Sequence, residues 1–125
     1  MTEADKLALL DAFAQAWNRH DTDALVSMMT PDGVFETAAG AEAFGARHAG
    51  HEALRKSFSA VFAAFPDARW EDATHVVAGD RAFSEWTFRG TSAQGERVEV
   101  RGVDLFVLRD GRIARKDTFR KARVR

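Results

Sequence analysis

The sequence predicts an α+β domain in which a curved antiparallel sheet is packed on three N-terminal helices. Two observations carry that prediction. Apolar residues recur at helical spacing through the first half of the chain and at a spacing of two through the second. The strand-like segments are joined by short turns built on glycine and aspartate, so successive strands run antiparallel. Helices first and strands after them are the pattern of a layered domain with its helices gathered on one sheet face.

The elements follow in order. Thr2 and Asp5 have the spacing of a capping box, and Leu7, Leu10, Phe13, Ala14 and Trp17 then follow at helical intervals. Asn18-Arg19-His20-Asp21 ends this helix, and Asp21 or Thr22 caps a shorter one carrying Leu25, Met28 and Met29. Thr30-Pro31-Asp32-Gly33 stops the second helix, and residues 34–36 read as a short strand. Residues 37–50 are rich in alanine and glycine and show no clear period, which suits a loop at a pocket mouth. From His51, the series Leu54, Phe58, Val61, Phe62 and Phe65 forms one wide apolar helix face that Pro66 terminates. Strands are predicted over 69–78, 81–89, 96–108 and 112–119, with turns at Gly79-Asp80, 90–95 and Asp110-Gly111.

Composition removes several function classes. At 125 residues the chain fits one domain, 1–125, able to bury a core unaided. It has no cysteine, which excludes disulfide frameworks, thiolate metal sites and cysteine nucleophiles. No apolar run has transmembrane length, and residues 1–10 lack the basic and apolar regions of a secretory signal. The expectation is a cytoplasmic protein with no membrane partner. A net charge of −1 offers no field to gather a nucleic acid. The basic stretch Arg112, Arg115, Lys116, Arg120, Lys121, Arg123 and Arg125 reads as a solvated strand face and tail.

In the longest strand Val98, Val100, Gly102, Asp104, Phe106 and Leu108 share one face, while Val103, Leu105 and Val107 share the other. Both faces are apolar over its last third, so the outer face also needs a cover. A homodimer through that outer sheet face supplies one, and a folded-back C-terminal tail is the alternative.

Several strings carry a family resemblance: Trp17-Asn18 with Asp21-Thr22-Asp23-Ala24-Leu25, Thr30-Pro31-Asp32-Gly33-Val34-Phe35, and His48-Ala49-Gly50-His51-Glu52-Ala53-Leu54. Gly102-Val103-Asp104-Leu105-Phe106, Asp110-Gly111-Arg112-Ile113 and Lys116-Asp117-Thr118-Phe119 complete them. The chain resembles the nuclear-transport-factor-2-like superfamily, in its SnoaL-like, polyketide-cyclase-like branch, across nearly its whole length. The resemblance implies a cone-shaped, cystatin-like fold with a hydrophobic pocket. Relatives include ketosteroid isomerase and limonene epoxide hydrolase. Matching Asp23-Ala24-Leu25-Val26 to the isomerase puts its oxyanion tyrosine at Phe13 and its basic aspartate at Thr37 or near Ala41, so neither group is present. Its second acid corresponds to Asp104. Epoxide hydrolysis would need an arginine at the pocket floor, and Arg101 belongs to the opposite strand face from Asp104.

What remains is a set of candidates. Asp104 should point into the apolar cup, where desolvation favours the neutral acid and makes it a proton or hydrogen-bond donor; the other reading is a structural carboxylate paired with an arginine or water. Asp117 lies within about a residue of the catalytic aspartate that the resemblance implies, and a one-residue slip would turn it to the outer face. His48 is a second acid-base candidate beside the pocket mouth. The His48–His51 spacing lacks a third ligand apart from Glu52, so no metal site is expected. Trp17, Phe35, Trp86, Phe106 and Phe119 are expected to shape the pocket. The function these residues imply is cofactor-free isomerisation, cyclisation or dehydration of a small apolar carbonyl compound. The alternative is a non-catalytic ligand-binding or dimerisation module on the same fold.

Overall fold

The computed structural model describes residues 1–124. Three helices, α1 (Glu3–Asn18), α2 (Thr22–Ser27) and α3 (His51–Ala64), lie against one six-stranded sheet. Its strands are β1 (Met29–Glu36), β2 (Arg47–Ala49), β3 (Arg69–Ala78), β4 (Arg81–Thr91), β5 (Arg97–Arg109) and β6 (Arg112–Arg120), in the spatial order β2-β1-β6-β5-β4-β3.

Thr2 caps α1 reciprocally: its hydroxyl accepts from the Asp5 amide at 3.1 Å and its own amide donates to the Asp5 carboxylate at 3.0 Å. Such a cap is worth about 1 kcal/mol. The helix buries Leu10, Phe13, Ala16 and Trp17 and lies across β3. Its last residue fastens it there, because the Asn18 amide group donates to the Trp70 carbonyl at 3.0 Å and accepts from the Trp70 amide at 2.8 Å. Two indoles, Trp17 and Trp70, are thereby held with ring centroids 5.0 Å apart.

Three features differ from the reading of the sequence. The second helix stops at Ser27, and the fully buried Met29 opens β1 instead. The glycine-rich loop contains β2, which pairs antiparallel with β1. The sheet is mixed rather than antiparallel, since β1 runs parallel to β6. Short turns dictate the direction of consecutive strands only, and β1 reaches β6 after a helix and four other strands.

The buried apolar residues form two clusters. One joins the helices to the sheet through Leu10, Phe13, Trp17, Phe35, Phe58 and Phe106, among others. A smaller one, with Ala68, Trp86, Phe88 and Val100, lies nearer the far ends of β3, β4 and β5. Gly102 in β5 stands opposite Trp86, and a Cβ there would come within 2.4 Å of the indole and 2.7 Å of the Phe119 carbonyl. Only glycine lets that indole lie across the strand.

The register of β5 against β6 decides the site. Leu108 pairs with Ile113 but Val107 pairs with Arg115, so Ala114 is an extra residue in β6. Such a bulge reverses the in-and-out alternation beyond it. Ile113 and Lys116 are both buried toward the helices, whereas Asp117 and Phe119 fall on the outer face.

Candidate active site

Lys116 is the centre of the inner face. Its Nζ donates to Asp104 Oδ1 at 2.9 Å and to Thr118 Oγ1 at 2.6 Å. The lysine and aspartate side chains are only 6% and 9% exposed. Asp104 accepts twice more, from Thr118 Oγ1 at 2.5 Å and from the Trp86 indole N–H at 3.0 Å. Every hydrogen-bond partner of Asp104 is therefore a donor. The ammonium also lies 4.5 Å from the Phe35 ring centroid and 4.9 Å from that of Trp17, a cation–π arrangement. Burial pulls the Lys116 ammonium below the usual lysine range, against the opposing attraction of Asp104.

A cavity of about 380 Å³ opens beside this lysine where the two clusters part. Trp17, Phe35 and Trp70 form much of its apolar wall, with Val61 of α3 and Phe65 just past the end of that helix. Lys116, Thr118, Arg120 and His48 are its principal polar groups, and among the described residues no Asp or Glu lines it. His48 stands on β2 opposite Phe35, with ring centroids 6.1 Å apart, and its imidazole has no hydrogen-bond partner among the described residues. His51 is spent otherwise: its Nε2 lies 3.1 Å from both the Met29 and Thr30 carbonyls. Among the described residues no cluster of three or more His, Cys, Asp or Glu side chains is placed to hold a metal.

The predicted residues divide into three groups. Trp17, Phe35, Trp86 and His48 line the cavity. Asp104 and Phe106 do not; they border a void of about 20 Å³ beneath α1, on the far side of Lys116. Asp104 thus lies outside the cavity and accepts from Lys116, rather than presenting a donor to a ligand in the apolar cup as expected. Asp117 and Phe119 are corrected outright, because the bulge at Ala114 carries both to the outer face. There Arg115 lies 3.4 Å from Asp117 and joins Arg47 in clamping the buried Glu36. The sequence marks Lys116 and Arg120 only as members of a basic stretch. That stretch is divided between the two sheet faces, and its last member, Arg125, lies outside the described residues. The signal available was Asp104 itself, since a carboxylate in an apolar cup calls for a counter-ion on a neighbouring strand, where the sequence reading offered an arginine or a water.

A family model for the SnoaL-like domain matches residues 10–116. The chain belongs to the SnoaL-like domain family. No protein of curated function matches it in sequence. Among solved structures, this SnoaL-like chain is similar to an NTF2-like protein of unknown function from Mesorhizobium loti, at 33% identity, 95% and 93% coverage of the two chains, and a TM-score of 0.77. A candidate polyketide cyclase of Xanthomonas campestris superposes with a TM-score of 0.82 at 21% identity, covering 93% of this chain and 90% of that one. TerC, co-crystallised with polyporic acid, gives a TM-score of 0.79 at 20% identity, with 94% and 92% covered. At such identities the last two establish the fold and nothing finer.

Proposed function

We propose that this SnoaL-like protein is a small-molecule enzyme that moves a proton on an apolar carbonyl compound without a cofactor. The observation that carries the reading is the buried Lys116 ammonium beside the apolar cavity. An ammonium has three N–H donors, and Asp104 and Thr118 take two. The third serves the carbonyl oxygen of a ligand and stabilises the enolate that forms when a neighbouring C–H loses its proton. Its lowered proton affinity brings Lys116 closer to the acidity that such a donor needs near neutral pH. His48, unpartnered in the cavity wall, takes the proton from carbon and returns it to another atom of the same molecule. Isomerisation, cyclisation and dehydration of a carbonyl compound all begin with this step.

The test is exchange of the α-hydrogens of 2-tetralone in deuterated buffer, followed by NMR. The protein should accelerate exchange, Lys116→Met should lower the rate by about a hundredfold, and His48→Gln should lower it as well. Exchange no faster than in buffer, or indifferent to Lys116→Met, sinks the reading. A second reading, a non-catalytic ligand-binding module, is favoured by the absence of any carboxylate from the cavity wall among the described residues. Binding of tetralone without exchange would establish it.

The outer sheet face supports a further part of the proposal, a homodimer. Val76, Leu105 and Phe119 are 48%, 44% and 51% exposed there, forming an apolar strip across β3, β5 and β6. Charges of both signs flank it, with Arg115 and Asp117 beside Leu105 and the Arg101–Glu85 pair beside Phe119. A strip of that kind is suited to a second copy of itself.

A further inference from the structure

The cavity's spare polar groups are almost all donors. The Trp17 indole N–H is buried without a partner, and Trp17 borders the cavity. Lys116 has one N–H uncommitted. Arg120 completes the set: its guanidinium lies 4.7 Å above the Phe88 ring at the cavity rim, and no carboxylate among the described residues pairs with it. That sets it apart from Arg47 and Arg115, which share Glu36, and from Arg89, which bonds Glu99. Arg120 is exposed by area, yet neighbouring atoms desolvate its head enough to pull its proton affinity below the usual arginine range. A rim position accounts for both. A guanidinium stripped of part of its water and given no counter-charge is an unfavourable arrangement until an anion arrives.

We infer that the cavity selects anionic ligands, a ring-sized apolar body bearing a carboxylate that docks on Arg120 while the body lies between Trp17, Phe35 and Trp86. The inference deepens the proposed function by specifying the substrate class as a carboxylate-bearing carbonyl compound, and it rests on that reading for the word substrate alone. The recognition itself needs no turnover. The planar guanidinium meets the carboxylate with two parallel N–H···O bonds. Lys116 does not compete for it, because Asp104 already balances its charge. The carbonyl oxygen is left to Lys116, deeper in the cavity.

The experiment compares 2-naphthoate with 2-naphthamide, which share one ring system and differ in charge, by calorimetric titration of the full chain. The naphthoate should bind about tenfold more tightly than the amide. Arg120→Gln should abolish that preference and leave amide affinity within about twofold, whereas Arg120→Lys, which keeps the charge but loses the fork, should retain part of it. Raising the salt should weaken naphthoate and not amide binding. Equal affinities for the two probes in the wild-type chain, or a preference that survives Arg120→Gln, would overturn the inference, as would failure of both to bind at millimolar concentration. The two proposals fail separately. Loss of tetralone exchange with the naphthoate preference intact removes catalysis and leaves anion selection standing; exchange that depends on Lys116, with no preference between the probes, does the reverse.

Discussion

Replacing Lys116 with methionine should destabilise the fold far more than replacing both members of its ion pair. The ammonium and the Asp104 carboxylate are 2.9 Å apart. At an effective dielectric constant of about 20 their attraction is roughly 6 kcal/mol. Removing two charges from water costs several kcal/mol for each ion, so the pair as a whole comes out near zero. Breaking it is another matter. Lys116→Met leaves Asp104 buried with only the Trp86 and Thr118 donors, and an orphaned buried charge costs about 3–5 kcal/mol. The two surviving donors put the expected loss at the lower end, about 3 kcal/mol. The double variant Lys116→Met with Asp104→Asn removes both charges, while the amide oxygen introduced by the second substitution accepts from the Trp86 indole N–H and the amide NH2 donates to the Thr118 hydroxyl, which no longer accepts from Lys116. It should lie within about 1 kcal/mol of wild type. Urea denaturation of the wild type, both single variants and the double variant measures the coupling directly. Additive losses, or a Lys116→Met cost under about 1 kcal/mol, would refute the account of the pair as mutually dependent buried charges.

Other expectations follow from the same geometry. Gly102→Ala forces the Trp86 indole and the Phe119 backbone apart, and should cost about 1–3 kcal/mol in urea melts while weakening naphthamide binding. On the outer face, burial alone would raise Glu36, but the Arg47 and Arg115 guanidinium groups outweigh it and hold its carboxyl below the usual glutamate range. Its stabilisation is therefore present above the unfolded glutamate value of about 4.3 and is lost as pH falls through the lower folded value. The Tm deficit of Glu36→Gln should accordingly be large at pH 7 and close in strong acid. Asp117 has the opposite sign: burial, then the neighbouring Glu36 charge, raises it, so the folded state holds its proton more tightly than the unfolded chain does. Asp117→Asn should be neutral or slightly stabilising at pH 7, with any gain absent at pH 3. Sedimentation velocity tests the dimer: the wild type should run as two copies and Leu105→Glu as one, and a monomeric wild type at micromolar concentration would remove the proposal.

Most of the architecture was written in local periodicity. The capping residue Thr2, the wide face of α3 and the alternation of β3, β4 and β5 are short-range features, and a chain needs no distant contact to display them. Only part of the aromatic cavity wall was legible in this way: Trp17 and Trp86 sit in unbroken helical and strand phase, whereas Phe106 and Phe119, expected beside them, lie elsewhere. Partnership across strands was not. β1 lies parallel to β6 because of a crossover that no turn announces. The one extra residue at Ala114 leaves no mark in a run such as Ile113-Ala114-Arg115-Lys116-Asp117, yet it exchanges the two faces beyond it. It turned the expected acid, Asp117, outward and set a lysine inside. The chain spelled out which residues could build a pocket, while hydrogen-bond register between distant strands chose which charge would occupy it, because register depends on the partner strand as well as on the residues themselves.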